Sequence, residues 1–482
     1  MRWRYILKTV GLLLLFFGVT MALPLVFSFF TKDRNLLSII RAMGTTLACG
    51  LAMLALFRHE KTESLSQREG MAIVALGWTA IGLFGSLPFY FSDAEFSFVD
   101  AFFESVSGFT TTGSSILTDI EGLSRGLLLW RSFIQWLGGM GIIVLSIAIL
   151  PFLGVGGMQL YKAEVPSPMP DKLKPRIRDT ALTLWKVYAV FTLAEVALLM
   201  IGSMSWFDAL NHAFTTLPTG GFSTKNASVA HFDNVYIDGV VIVFMLIAGI
   251  NFSLHYQALR GRPLAFWKDS ECRFFLGVSL ILTLVVATDL YGTVYETIGQ
   301  SLRYAAFQVV SIFTTTGYAT ADYELWPPMS QIILLLCMFV GGSAGSTSGG
   351  MKCLRILLCF KYSYKELFSL IHPRAVSHIK IGGKTVPEEV MRSVLAFLAL
   401  YMALFALGTV LLAGIGVDFV TALGAVAAAI GNIGPGFGMV GPVDNFSQIP
   451  HLGKWLLSWL MLLGRLEIYT LIILVVPEFY RK

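Results

Sequence analysis

Four short strips rich in glycine and threonine are the residues best suited to chemistry in this chain. They read FTTTG at 109–113, FTTLPTGG at 214–221, FTTTG at 313–317 and IGNIGPG at 430–436. Glycine permits backbone conformations in which successive carbonyls turn one way, and threonine adds a hydroxyl oxygen without a charge. Rings of uncharged oxygens replace the hydration shell of a monovalent cation. The strips therefore predict an oxygen-lined path for a dehydrated monovalent cation, potassium first.

The charge of the strips excludes other ions. Selectivity for divalent cations favours a ring of Asp or Glu, and selectivity for anions favours a ring of Arg or Lys. The strips contain none of these residues. The five cysteines are scattered without a CxxC or other ligand spacing, so we expect neither a zinc site nor a disulfide framework.

The composition places the strips in a membrane. The 482 residues are 55% apolar and 13% charged, whereas soluble domains carry about 25% charged residues, so an ordinary soluble enzyme is excluded. A membrane-spanning helix needs about 20 mostly apolar residues. The ten predicted spans are 5–30, 36–57, 71–91, 127–153, 180–203, 236–257, 273–291, 331–360, 391–414 and 453–477.

Shorter apolar segments precede the strips. These predicted half-helices are 97–109, 206–216, 300–313 and 418–431. The order of span, half-helix, strip and span occurs four times, and Gly113, Gly221, Gly317 and Gly434 are 108, 96 and 117 residues apart. Non-helical backbone at membrane depth must be buried in protein or line a water-filled cavity.

These patterns predict an all-α integral membrane protein. Four tandem helix–pore-loop–helix repeats surround a pseudo-fourfold central pore, and two extra transmembrane helices precede them. The predicted divisions are 1–66 for the N-terminal helices and 67–160, 161–262, 263–385 and 386–482 for the repeats.

The basic residues predict the orientation, because Lys and Arg accumulate in cytoplasmic loops. If both termini are cytoplasmic, the inner segments hold 26 of the 35 basic residues and the outer segments hold eight. The same division places 12 acidic residues inside and 16 outside. We therefore expect cytoplasmic termini, a basic inner face and an acidic outer mouth that concentrates cations.

The predicted span 331–360 is interrupted by GGSAGSTSGG at 341–350, followed by Met351 and Lys352. Glycine is a poor helix former and serine competes for backbone hydrogen bonds. The interruption predicts an intramembrane loop at 341–351 that blocks the pore and must move for ions to pass; a flexible kink is the alternative. The expected core of the loop is Gly345, Ser346, Thr347, Gly349 and Gly350.

Arg465 and Glu195 are charged residues that lie deep within predicted spans. An intramembrane charge is costly, and is a functional-site hypothesis by default. Arg465 could instead extend toward the cytoplasm or pair with Glu467. Glu195 could form a hydrogen bond between helices or couple transport.

The motifs SGFTTTG at 107–113, TLPTGGFST at 216–224, FTTTGYAT at 313–320 and NIGPGFG at 432–438 resemble those of the TrkH/TrkG/KtrB family of potassium-transporter subunits. The resemblance covers essentially the whole chain, and the two N-terminal spans are more similar to the TrkH type than to the shorter KtrB type. It implies potassium uptake across the bacterial inner membrane. The implied filter residues are Thr111, Thr112, Gly113, Thr219, Gly220, Gly221, Thr315, Thr316, Gly317, Asn432, Ile433 and Gly434.

The resemblance also implies a gate and partners. Arg465 would lie on the pore axis, oppose resting cations and hold the intramembrane loop closed, with Lys352 at the end of that loop. A homodimer is implied, with a cytosolic TrkA-like ring that binds NAD(H) or ATP. No cofactor is expected in this chain, because no GxxxxGK[ST] or GxGxxG motif follows a strand. The basic inner loops also suit lipid headgroups, and no nucleic-acid partner is expected.

Two alternatives belong to other classes. A secondary cation transporter coupled to protons or sodium would use broken helices, although such folds typically have twofold inverted repeats. An intramembrane serine protease is suggested by GSAGS at 342–346, but it requires a histidine at matching depth and leaves four repeats unexplained.

Overall fold

The computed structural model describes residues 1–59, 66–141, 177–375, 378–382 and 384–480. The end of the predicted span 127–153 and the start of the basic segment 161–186 lie outside the described residues.

Two N-terminal spans precede the repeats. The first consists of Trp3–Thr20 and Ala22–Phe30, which meet at Met21, and the second is Leu36–Leu56. Trp3–Thr20 packs against Leu36–Leu56 and against the first helix of the first repeat. Gly11 and Gly50 permit a close approach, because a Cβ atom on Gly50 would lie 2.9 Å from the Gly11 carbonyl oxygen.

Each of the four repeats contains an outer helix, a short pore helix and an inner helix. The outer helices are Gln67–Gly85, Ile177–Ile201, Ser270–Leu290 and Glu388–Gly414. The pore helices are Phe98–Phe109, Trp206–Thr216, Ile298–Phe313 and Phe419–Gly431. The inner helices begin as Arg125–Gly139, Val235–Gly249, Pro328–Val340 and His451–Arg465.

Further elements complete the described chain. The helical ones are Leu87–Tyr90, Ser228–Phe232, Phe252–Leu259, Ala265–Lys268, Tyr323–Leu325, Cys353–Ile371, Phe446–Gln448, Tyr469–Ile472, Ile473–Val475 and Pro477–Phe479. A two-residue strand, Lys380–Ile381, pairs antiparallel with Lys384–Thr385. Apart from this hairpin, the described regular structure is helical, and the predicted fold class is confirmed.

The packing of the pore helices closes a ring. Each pore helix contacts the inner helix of its own repeat and the inner helix of the preceding repeat. The first pore helix contacts the inner helix of the fourth repeat, so the order returns to its start. The pseudo-fourfold arrangement therefore follows from contacts between sequence-distant helices.

Two inner helices are bent, although the sequence predicts a continuous span for each. Six described spans are long and apolar enough to cross a membrane, and two bent helix pairs would raise this number to eight. The predicted spans 236–257 and 453–477 are bent by 104° and 113°, so their prediction as continuous helices is wrong. Ile250 is extended and Asn251 caps the next helix, whereas Glu467 and Ile468 both have positive φ.

Candidate functional site

The four pore helices begin with a side-chain cap and end at the strips. Each cap accepts a hydrogen bond from a backbone N–H in the first turn, which satisfies a donor that the helix cannot. The caps are Ser97, Ser205, Thr297 and Asp418. The opposite, carbonyl ends of the helices carry partial negative charge toward the strips. This polarity favours a cation there.

The four strips share one backbone conformation. In each strip a residue with positive φ comes two positions before a glycine with positive φ. The first residues are Thr111 (53°), Thr219 (57°), Thr315 (59°) and Asn432 (54°), and the glycines are Gly113 (85°), Gly221 (73°), Gly317 (81°) and Gly434 (105°). Positive φ is unusual for threonine, and such strain is concentrated at functional sites. Asparagine tolerates this region, so Asn432 retains the conformation of the other strips.

The amide groups of the strips bond back to their own pore helices. Thr112 N–H donates to the Ser107 carbonyl (2.8 Å), and Thr316 N–H donates to Ser311 (2.8 Å). The equivalent bonds in the second and fourth repeats join Gly220 to Thr215 at 2.8 Å and Ile433 to Ala428 at 3.0 Å. In a trans peptide group the carbonyl oxygen and the N–H point in opposite directions. Since these N–H groups point toward the pore helices, the carbonyl oxygens of the same peptide groups point away from them.

Contacts between the strips complete the ring. A Cβ atom on Gly113 would lie 2.1 Å from the Gly220 carbonyl oxygen, too close for any side chain. The other three distances are 2.0 Å from Gly221 to Thr316, 1.8 Å from Gly317 to Ile433 and 2.9 Å from Gly434 to Thr112. Each of these four glycines therefore faces the carbonyl that precedes the equivalent glycine of the next strip. The structure brings together all twelve residues proposed as the filter.

Side chains outside the strips fix their spacing. Gln135 Nε2 donates to the Gly220 carbonyl oxygen at 2.7 Å, and Ser114 Oγ donates to the Gly434 carbonyl oxygen at 2.8 Å. The Tyr318 hydroxyl lies 2.5 Å from Thr215 Oγ1. All three contacts connect different repeats, so each strip is positioned by its neighbours.

A buried ion pair beside the filter was missed by sequence reasoning. Glu104 on the first pore helix is fully buried and accepts a hydrogen bond from Arg131 Nε at 2.6 Å. Arg131 also donates to the Ser223 carbonyl oxygen at 2.8 Å and stacks on Phe222. Glu104 accepts from the Ile116 N–H at 3.0 Å. The pair thus joins the chain after the first strip to the chain after the second.

Another carboxylate lies next to the fourth strip. Glu324 accepts a hydrogen bond from the Gly438 N–H at 2.6 Å. Partial burial raises the pKa of the Glu324 carboxyl, and the nearby Asp322 and Asp444 raise it further, whereas the Gly438 N–H lowers it. Three acidic residues therefore lie near one another where the fourth strip ends.

The intramembrane loop 341–351 lies against the filter. Gly349 N–H donates to Thr315 Oγ1 at 2.7 Å, and Thr347 Oγ1 donates to the Leu217 carbonyl oxygen at 2.8 Å. A Cβ atom on Gly349 would lie 2.3 Å from the Gly431 carbonyl oxygen. The loop thus contacts strips or pore-helix ends of three repeats.

The other residues expected in the gate occupy the same region. The Gly345 carbonyl oxygen accepts from Phe252 N–H at 3.1 Å, and Ser346 Oγ donates to the Ser343 carbonyl oxygen. Gly350 has a φ of 70°. Lys352 is buried and its Nζ donates to the Ser348 carbonyl oxygen.

Arg465 joins the loop to another repeat. Its Nη1 donates to the Thr347 carbonyl oxygen at 2.8 Å, and its Nη2 donates to the Gly138 carbonyl oxygen at 2.6 Å. Glu467, the alternative partner considered for Arg465, forms an ion pair with Arg355. Arg465 therefore crosses from the fourth repeat to the third and the first, on the loop side of the filter.

Comparison with known proteins assigns the chain to a family. The TrkH family description, "Cation transport protein", matches residues 38–480. The chain belongs to the TrkH family. The Trk system potassium uptake protein TrkH of Salmonella typhimurium is 43% identical, with 100% of both chains covered. The Trk system potassium uptake protein TrkG of Escherichia coli is 36% identical, with 99% of each covered.

A solved structure extends the TrkH comparison to the fold. The crystal structure of the potassium transporter TrkH from Vibrio parahaemolyticus has a TM-score of 0.90 and 40% identity, with 100% of both chains covered. The family resemblance expected from the four motifs is confirmed. Within the described part of the chain, no cluster of three or more His, Cys, Asp or Glu could hold a metal ion.

Proposed function

We propose that the chain is the ion-conducting subunit of a Trk-type potassium uptake system. The observation that carries this proposal is the closed ring of strips, in which each glycine faces the carbonyl oxygen of the next strip. Oxygens held in such a ring replace the water lost by a monovalent cation. Full-length relatives that are named potassium uptake proteins identify potassium as the ion.

The filter would be formed by the twelve strip residues named above. Its selectivity would come from the spacing of the oxygens, which Gln135, Ser114 and Tyr318 maintain through contacts between repeats. The absence of charged side chains from the strips allows potassium to leave again, as conduction requires.

The loop 341–351 would form the gate. Its contacts with Thr315 and Leu217 place it beside the filter, and Arg465 would hold it there while presenting a positive charge to resting cations. Small residues make its displacement sterically easy. Opening would require the loop to exchange these hydrogen bonds for others.

Control of the gate would come from a second protein. We propose a homodimer in the bacterial inner membrane with cytoplasmic termini and a TrkA-like nucleotide-binding ring on the inner face. Support comes from the excess of basic residues in the predicted inner segments. The relatives are named as members of a Trk system, which implies at least one other component.

Coupled transport is a second candidate, and Glu195 favours it. This carboxyl group is fully buried on the second outer helix and faces Thr216 at the end of the second pore helix. A buried carboxyl group near the filter is a suitable site for a proton during transport.

Cation flux into liposomes that contain the purified chain tests both candidates. Potassium, rubidium, sodium and lithium are compared, with and without a pH gradient. We expect potassium and rubidium to pass faster than sodium and lithium, and flux without a pH gradient would favour a channel. If neither potassium nor rubidium passed, even with the cytosolic partner supplied, the proposal would be wrong.

A further inference from the structure

Glu271 is a buried carboxylate that belongs neither to the proposed filter nor to the proposed gate. It lies in the first turn of the third outer helix, Ser270–Leu290, and is 7% exposed. Its position in the sequence, next to the predicted start of a span, gave no sign of a role. In the structure it faces the two ends of the intramembrane loop.

A single carboxylate oxygen of Glu271 accepts two backbone hydrogen bonds. Ala344 N–H donates to Oε1 at 2.6 Å, and Leu354 N–H donates to the same atom at 3.0 Å. Ala344 lies near the start of the loop, and Leu354 lies in the first turn of the helix that follows it, Cys353–Ile371. The carboxylate therefore bridges chain on both sides of the loop.

Glu271 accepts hydrogen bonds from the Ala344 and Leu354 N–H groups, neither of which donates within a helix or strand. The first N–H groups of a helix point outward and carry partial positive charge, and a carboxylate stabilises them. The two ends of the loop also meet directly, because Cys353 N–H donates to the Gly342 carbonyl oxygen at 2.9 Å. Lys352 lies close enough to affect Glu271 electrostatically.

We propose that Glu271 is a positioning residue that clamps both ends of the loop 341–351 and so favours the closed gate. This inference rests on the proposed gating function of the loop. If the loop moves away from the filter, Ala344 and Leu354 must either move together or leave Glu271. If they leave Glu271, two N–H donors and a carboxylate stay buried without hydrogen-bond partners, which is unfavourable.

The test is basal rubidium flux through liposomes that contain the full chain without a cytosolic partner. Glu271→Ala removes the acceptor, and Glu271→Asp withdraws it by one methylene group. Glu271→Gln keeps an oxygen at the same position. We expect basal flux to rise about fivefold or more in the Ala and Asp variants and to stay near wild type in the Gln variant.

Two controls accompany these variants. Glu366→Ala removes the same charge from an exposed position of the same repeat on the predicted inner side, and should leave flux unchanged. Arg465→Ala tests the gate itself and should raise basal flux. Hydrogen exchange of peptides that cover 341–354 should be faster in the Ala and Asp variants than in the Gln variant.

The outcomes separate the clamp from the gate. If Arg465→Ala raises flux and neither Glu271→Ala nor Glu271→Asp does, the clamp is wrong and the gate stands. Equal increases in the Gln and Asp variants would also overturn the clamp, because the oxygen position would then not matter. If Arg465→Ala and the Glu271 variants all conduct like wild type, the gating proposal fails. If the Ala variant does not fold, the Asp and Gln pair decides.

Discussion

At the scale of single residues, the four strip glycines with positive φ occupy positions that impose two requirements, which only glycine meets. Gly317 has a φ of 81°, and a Cβ atom on it would lie 1.8 Å from the Ile433 carbonyl oxygen. The first requirement is conformational, and the second is steric. A side chain at this position must therefore displace the neighbouring strip as well as strain its own backbone.

We expect Gly317→Ser to reduce discrimination between potassium and sodium by about tenfold. The backbone strain alone is about 1–3 kcal/mol, and each 1.4 kcal/mol corresponds to about a factor of ten. The ratio of potassium to sodium flux in liposomes measures the effect. Gly299→Ser is the matched control, because no atom lies within 4 Å of a Cβ there. An unchanged ratio in Gly317→Ser would mean that the filter lies elsewhere.

At the scale of elements, the Arg465 side chain connects the intramembrane loop to a helix of another repeat. Arg465 donates to the Thr347 carbonyl oxygen of the loop and to the Gly138 carbonyl oxygen at the end of the first inner helix. Hydrogen bonds from a charged donor contribute about 1.5–3 kcal/mol. We expect Arg465→Ala to increase basal rubidium flux at least several-fold, measured without a cytosolic partner. Flux like that of wild type would refute its role in closing the gate.

A second relation between elements is the buried pair of Glu104 and Arg131. Removal of one partner leaves an unpaired buried charge, which destabilises by about 3–5 kcal/mol. We expect Arg131→Met to lower the melting temperature in detergent strongly, and the double variant Glu104→Gln, Arg131→Met to recover part of the loss.

The matched control for this pair is Arg34→Met. Arg34 contacts Asp93 at 3.1 Å, but both side chains are about half exposed. Exposed ion pairs contribute about 0–1 kcal/mol, so a small shift is expected. Equal shifts for Arg131→Met and Arg34→Met would contradict a structural role for the buried pair.

At the scale of the whole molecule, the distribution of charge predicts the orientation. We expect a cysteine at position 296 to react with an impermeant maleimide from outside intact cells, and a cysteine at 366 to react only after permeabilisation. Both variants, Glu296→Cys and Glu366→Cys, are made after replacement of the five native cysteines. Both original residues are exposed. The reverse labelling pattern would place the basic face outside and contradict the predicted direction.

Much of the fold could be predicted from the sequence because the relevant signals are local. Apolar runs indicated the spans, shorter runs indicated the half-helices, and the strip motifs indicated the repeat. The bends in the second and fourth inner helices were missed, because each bent pair of helices is still long and apolar enough, taken together, to resemble one span. A loop of glycine and serine, by contrast, revealed the break in the third.

The sequence by itself determined the membrane class, the repeat and the identity of the strip residues, since these depend on residue type and spacing along the chain. Only the tertiary structure decided which strip faces which, that Glu104 pairs with Arg131, and that Glu271 bridges the ends of the loop. The physical reason is distance along the chain. A carbonyl of one repeat accepts a hydrogen bond from a side chain of another, and such contacts exist only after the four repeats have closed into a ring.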